Sequence, residues 1–280
     1  MTTRLFLPQV TLCCVDTRSP AEAVYALRQS MSQIDFGRVL YLGPQHALGM
    51  GLDLNGIELV AIDDITSIEV YSRFMLHGLG PHIQTSHALI VQWDGFVTHP
   101  ELWQNQFLDY DYIGPPWYHG GRPPQVGNGG FSLRTRKLID ALALLPYDGS
   151  EPEDMAICVT WRDQLEREHD MRFAPVALAT EFGIEYGKWR PAFGFHGMHN
   201  FAHELTPENL QDWLLSADDG LILSKHARKL IKALMASGNW NQALDLVRRR
   251  SRLSGWTRDQ LNLYLRVRGQ QLKAIFGRHH

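Results

Sequence analysis

A chain of 280 residues with 44% hydrophobic and 20% charged side chains can bury one sizeable core plus an appendage, which excludes a disordered or fibrous polypeptide. No apolar run reaches the ~20 residues of a membrane span, and no basic segment followed by an apolar one stands at the N-terminus, so the expectation is a cytoplasmic protein. The net charge is only −3, and the three cysteines, adjacent Cys13 and Cys14 plus distant Cys158, match neither a disulfide framework nor a zinc spacing. In chain order, residues 10–15 are a compact apolar run that predicts a buried strand. Asp16-Thr-Arg-Ser-Pro20 supplies turn and capping residues before a helical pattern over 21–31. Residues 38–42 and 57–62 predict two further strands, the latter leading into Asp63 and Asp64. A helix over 67–79 then carries Ile68, Tyr71, Met75 and Leu79 on one side and precedes an apolar strand ending at Asp94. Strands separated by helices predict a mostly parallel sheet.

Residues 98–130 break this rhythm with aromatics, glycines and prolines, among them Tyr110-Asp-Tyr-Ile-Gly-Pro-Pro-Trp117 and Gly127-Asn-Gly-Gly130. Irregular chain of this kind lines sites. A helix is expected over 132–145, and four more over 206–215, 224–236, 239–250 and 257–276. The chain therefore divides into an α/β domain, residues 1–203, and a basic helical appendage, residues 204–280. Residues 221–280 hold 13 Lys or Arg against Asp245 and Asp259, a charge of +11, while the rest of the chain carries −14. Such asymmetry allows the two parts to attract, or the tail to meet a phosphate-rich partner or an anionic membrane surface.

Several enzyme classes lose support directly. Neither a P-loop nor a dinucleotide-type glycine signature follows the first strand, and Gly-x-Ser-x-Gly and His-Glu-x-x-His are both lacking. What remains is a buried strand that delivers one carboxylate, Asp94, to its carboxyl end, the place where open α/β sheets bind ligands. Asn128 within consecutive glycines offers a donor and an acceptor to a bulky ligand, and Glu151-Pro-Glu-Asp154 opens a helix with carboxylates at its positive end.

Tyr71-Ser-Arg-Phe74 followed by Ala88-Leu-Ile-Val-Gln-Trp-Asp94 resembles the block of nucleotide-sugar-dependent transferases of the glycogenin and lipopolysaccharide-galactosyltransferase type. More closely, Gln92-Trp-Asp-Gly, Asp109-Tyr-Asp-Tyr-Ile-Gly-Pro-Pro-Trp117, Val126-Gly-Asn-Gly-Gly-Phe-Ser-Leu-Arg134, Glu151-Pro-Glu-Asp154 and Phe193-Gly-Phe-His-Gly197 resemble, in that order, a family of uncharacterised bacterial and viral glycosyltransferase-like proteins. The resemblance covers residues 8–200 and implies an α/β, GT-A-like (Rossmann-like) fold: a mostly parallel sheet flanked by helices, here with a small all-α C-terminal appendage. The implied activity is transfer of a sugar from a nucleotide-diphosphate sugar, a UDP-sugar first, to a glycan, lipid-linked glycan or nucleobase.

The resemblance also implies roles. A Mn²⁺ or Mg²⁺ ion held by Asp94 and His196 would offset charge on the leaving diphosphate. Gln92 stands where the full motif has a first acid, which leaves Asp94 as a lone carboxylate ligand. Asp154, and after it Glu153, is the candidate general base for the acceptor hydroxyl. Arg73 would meet Asp94 or the diphosphate. Thr11, Cys13, Asp16 and Thr17 on the first strand and its loop, with Asp63 and Asp64, would meet base and ribose. Gln92, Trp93, Asn128, Gly129 and Gly130 would contact the sugar, and Trp117 and Tyr118 would offer stacking faces. Two other readings stand beside this one: a nucleic-acid-modifying or nucleic-acid-binding protein using the tail, with Trp240, Trp256 and Tyr264 among its bases, and a catalytically silent scaffold of the same fold.

Overall fold

The computed structural model describes residues 4–118 and 124–276, which fall into two compact units, Met1–His196 and Gly197–His280. The first opens with β1 (Leu5–Val15), α1 (Pro20–Met31), β2 (Ile34–Gly43), β3 (Glu58–Ala61), α2 (Ile68–Arg73) and β4 (His87–Val91). Strands β3, β2, β1 and β4 lie side by side and pair in parallel, with Cys13 opposite both Leu40 and Ile90. Both faces of β1 are covered, which is why residues 10–15 form an unbroken apolar run instead of an alternating one. The core on one face gathers Cys13, Leu40, Met75, Leu79, Ile90 and Ile139. Each such side chain removed from water contributes roughly 1.5–3 kcal/mol.

The irregular region contains β5 (Tyr112–Ile113), β6 (Pro116–Trp117) and β7 (Gln125–Val126), followed by β8 (Ser132–Thr135) and α3 (Arg136–Leu142). Here the structure corrects the expected helix over 132–145: its first turn is strand β8, antiparallel to β4 on one side and β5 on the other. Leu133 and Arg134 alternate across that buried strand, and Thr135 ends it by capping α3, its hydroxyl accepting from Leu138 N at 3.1 Å. The six-stranded sheet is thus mixed, with a parallel core extended by two antiparallel strands, an arrangement consistent with a Rossmann-like fold. The helix over 67–79 begins as α2 and continues as a π-helical turn, Phe74–Gly78. The unit closes with α4 (Glu153–Met155), α5 (Arg162–Glu168), α6 (Val176–Phe182) and the short parallel pair β9 (Gly183–Ile184) and β10 (Gly194–Phe195).

The second unit is helical: α7 (Phe201–Glu204), α8 (Pro207–Ser216), α9 (Asp219–Leu223), α10 (Lys225–Ala236), α11 (Trp240–Ser254) and α12 (Arg258–Phe276). The sequence reading divides the chain at residues 203 and 204, whereas the compact units divide after His196, because α7 packs within the helical unit against α10. Arg250 is buried there, with a 3.0 Å hydrogen bond from its Nη1 to Ser224 O and another to Ile222 O. Arg228 pairs with Asp259, and Arg249 with Asp219. No described helix is long and apolar enough to cross a membrane.

Candidate functional site

The sheet brings its chemistry to the carboxyl end of β4. There the chain turns tightly, with Gln92 and Gly95 bridging each other through backbone hydrogen bonds of 2.9 and 3.0 Å, and Asp94 sits in the turn only 5% exposed. His196 arrives from the end of β10. Its Nε2 lies 3.5 Å from Asp94 Oδ1 and 3.1 Å from Gln92 Oε1, while its Nδ1 lies 3.5 Å from Glu185 Oε1 and 2.9 Å from Asn128 Nδ2. Burial opposes charge on this ring, but the Asp94 and Glu185 carboxylates outweigh it and hold the imidazole protonated, its pKa pushed up to about 10. Burial likewise works against the Glu185 carboxylate, yet His196 and the Asn128 amide hold it below the ordinary glutamate value.

A second charged group lies alongside. Glu153, at the first turn of α4, is buried and pairs through Oε1 with the fully buried Arg134 Nη2 of β8 at 2.9 Å. Its other oxygen, Oε2, is buried without a hydrogen-bond partner. Burial pushes the Glu153 carboxyl up to about 6 in spite of Arg134, and Glu153 in turn keeps the Arg134 guanidinium charged against its own burial. Asp154 is spent differently: Oδ2 accepts from Gly129 N at 3.1 Å and Oδ1 from Met155 N at 2.9 Å.

Two glycines let the backbone close on these groups. A Cβ on Gly129 would lie 2.1 Å from Glu153 Oε1, and one on Gly130 would lie 2.2 Å from His196 Nε2. Side chains that the sequence places far apart therefore line one cleft of about 380 Å³: Arg18, Tyr71, Gln92, Glu153, Asp154 and His196, with Gly129 and Gly130 in its wall.

The other predicted residues are placed as follows. Thr11 and Cys13 do not reach the cleft, since both are fully buried inside β1, Thr11 hydrogen-bonded to Thr85 at 2.7 Å and Cys13 in the core. Asp16 Oδ1 accepts from Arg18 N and Ser19 N, and Thr17 Oγ1 from Ile65 N, so both shape the loop before α1. Arg73 is not beside Asp94. It is half exposed, reaches Glu69 and Tyr147 O, and borders a larger neighbouring cleft with Asp63. Asp64 is exposed. Asn128, at φ 60°, uses Oδ1 to accept from Gly130 N and Phe131 N, and donates from Nδ2 to Glu185. Gln92 donates to the Tyr71 hydroxyl at 2.8 Å. Trp93 is partly exposed beside it. Trp117 is buried in the β6–β7 ribbon under Gly127 and offers no open stacking face, whereas Tyr118 is exposed.

Glu185, Arg134 and Arg18 were not singled out as site residues from the sequence. Arg134 closes the quoted Val126–Arg134 motif and Arg18 lies in the quoted Asp16–Pro20 loop, whereas Glu185 sits within Ile184-Glu-Tyr186 without a recognisable signal, so only Glu185 could not have been found.

A divalent cation could use this donor set only after His196 gives up its Nε2 proton, leaving one carboxylate oxygen, one amide oxygen and one imidazole nitrogen. The Gln92 amide oxygen and the Asp94 carboxylate oxygen lie 3.1 and 3.5 Å from the imidazole Nε2. Among the described residues no three His, Cys, Asp or Glu side chains form a metal cluster. Small hard cations need no such cage, because they take one or two carboxylates and complete their shell with water and substrate phosphates.

A family profile described as "Protein of unknown function (DUF5672)" matches residues 56–196, just over half of the chain. No curated protein matches. Among solved structures, one titled "Crystal structure of S. aureus TarS 1-349" is similar at 12% identity and a TM-score of 0.38, over 95% of this chain and 80% of that one.

Proposed function

We propose that this chain, which belongs to the DUF5672 family, is a glycosyltransferase that uses a nucleotide-diphosphate sugar, a UDP-sugar first, and that its first unit is a GT-A-like domain. The observation that carries the reading is the convergence of Asp94 and His196 with the unpartnered Glu153 Oε2 at the carboxyl end of a parallel strand, where open sheets take ligands.

Asp94 and His196 would hold Mn²⁺ or Mg²⁺, Mn²⁺ by preference because of the imidazole, with the Gln92 amide oxygen as a third donor. The cation would supply positive charge to a leaving diphosphate. Arg18, exposed at the cleft, would meet the same phosphates.

The order of the two candidate bases is reversed here relative to the sequence reading. A base works best with a pKa near the operating pH and a free lone pair toward the proton it takes. Glu153 has both, whereas both Asp154 oxygens accept from backbone amides. Glu153 therefore takes the acceptor hydroxyl's proton at Oε2, Arg134 holds its other oxygen, and Asp154 ties the Gly129 loop to α4.

The test is a panel of nucleotide sugars with and without Mn²⁺, read as thermal stabilisation and donor hydrolysis. One donor should stabilise the chain in the presence of metal, and Asp94→Ala should abolish its turnover. Glu153→Gln should lower transfer by ~10²–10⁴-fold with donor stabilisation retained. No response to any donor with metal would overturn the reading in favour of a silent scaffold.

A further inference from the structure

His196 is gripped from behind as well as faced from the front. The grip follows from the backbone: β9 and β10 pair in parallel with Phe195 opposite Ile184, so the next residues along, His196 and Glu185, emerge side by side, and His196 N donates to Ile184 O at 2.8 Å. Glu185 Oε1 faces ring Nδ1 at 3.5 Å, on the edge opposite Gln92 and Asp94. Glu185 is itself held. Asn128 uses Oδ1 to accept from two backbone amides, so only its Nδ2 can turn toward Glu185 and the ring, where it donates to Glu185 Oε2 and lies 2.9 Å from ring Nδ1.

We infer that Glu185 is a positioning residue, anchored by Asn128, that together with it fixes the rotation of His196 so that Nε2 is the nitrogen presented beside Asp94 and Gln92. An outer carboxylate behind a metal-bearing histidine orients the ring, and its loss weakens metal binding. Gly130 permits this orientation, since a Cβ at that position would lie 2.2 Å from Nε2. This inference rests on the proposal that His196 carries a cation. It adds a residue that no motif in the chain marks.

The experiment uses the full chain, with Mn²⁺ alone as the probe. Metal binding is followed by electron paramagnetic resonance, and the His196 ring by nitrogen-15 NMR in the absence of metal. Glu185→Ala should weaken Mn²⁺ roughly 10–100-fold, and Glu185→Asp should recover part of that loss. Without metal, the wild-type ring should show one defined nitrogen-15 signal pattern that Glu185→Ala shifts or broadens, with the thermal midpoint of Glu185→Gln serving as the folding control. Unchanged Mn²⁺ affinity in Glu185→Ala where His196→Ala loses binding overturns the positioning role alone. If wild type and His196→Ala bind Mn²⁺ equally poorly, the cation reading fails. The ring signal then still decides on Glu185, and its persistence in Glu185→Ala overturns the role.

Discussion

Among single residues, the least replaceable is Arg134. It is fully buried, its guanidinium hydrogen-bonds Glu153, Ser132 and Gly129, and it lies over the Tyr112 ring. Removing one member of a buried ion pair strands the other charge, so Arg134→Met should cost about 3–5 kcal/mol in urea unfolding, and pairing it with Glu153→Met should restore much of that loss. Glu153 also makes a prediction in pH. Its folded pKa of about 6 lies above the ordinary 4.5, so between these values the folded chain holds a proton that the unfolded chain has released. The contribution of this group to stability is therefore complete below pH 4.5 and lost as pH rises through about 6, the reverse of a carboxylate whose pKa is lowered by pairing. The total is about 2 kcal/mol at 1.36 kcal/mol per unit. A carbon-13 titration of the Glu153 carboxyl should find its midpoint near 6, and a midpoint in the ordinary glutamate range would contradict the burial argument.

Among elements, the loop from Gly127 to Phe131 and the turn after β4 decide whether a site exists. The loop is tied at one end by Asn128 to its own backbone and at the other by Asp154 to α4, which sets Gly129 and Gly130 against Glu153 and His196. Gly130→Ala would push a methyl group into the His196 ring and should cost about 1–3 kcal/mol by overpacking, with loss of the Mn²⁺ response. Thermal melting with and without Mn²⁺ checks both parts, and an alanine variant as stable and as responsive as wild type would show that the loop can yield. The parallel strands were legible because a fully buried strand leaves a long apolar run, as in residues 10–15 and 88–91. Strand β8 was not, since its four residues carry too little periodicity to separate a strand from a helix start, and only pairing with β4 and β5 settles the matter.

For the whole molecule, the dominant fact is the division of charge, +11 over residues 221–280 against −14 elsewhere. Within the helical unit Arg228, Arg248 and Arg249 are matched by Asp259, Asp245 and Asp219, and Arg250 is buried on backbone carbonyls, so part of that basicity stabilises the bundle itself. The remaining excess, with the exposed Trp256, predicts retention of mixed-sequence DNA at low salt that falls steeply as salt rises through counterion release. The absence of any shift at low salt would remove the polyanion reading of this surface and leave the bundle a structural role.

The sequence alone was sufficient for the alternation of strands and helices, the presence of a helical unit, the carboxylate at the end of β4 and the short motifs in their order. These are local properties, written in hydrophobic period, turn residues and neighbouring side chains. Tertiary structure alone decided which of those side chains meet. It turned Arg73 toward Tyr147 and buried Cys13 and Trp117, and it paired Glu153 with Arg134 and set Glu185 behind His196. Such meetings depend on sheet order and on loops of glycine closing over tens of residues, and a side chain's partner across that distance leaves no mark on the residues beside it.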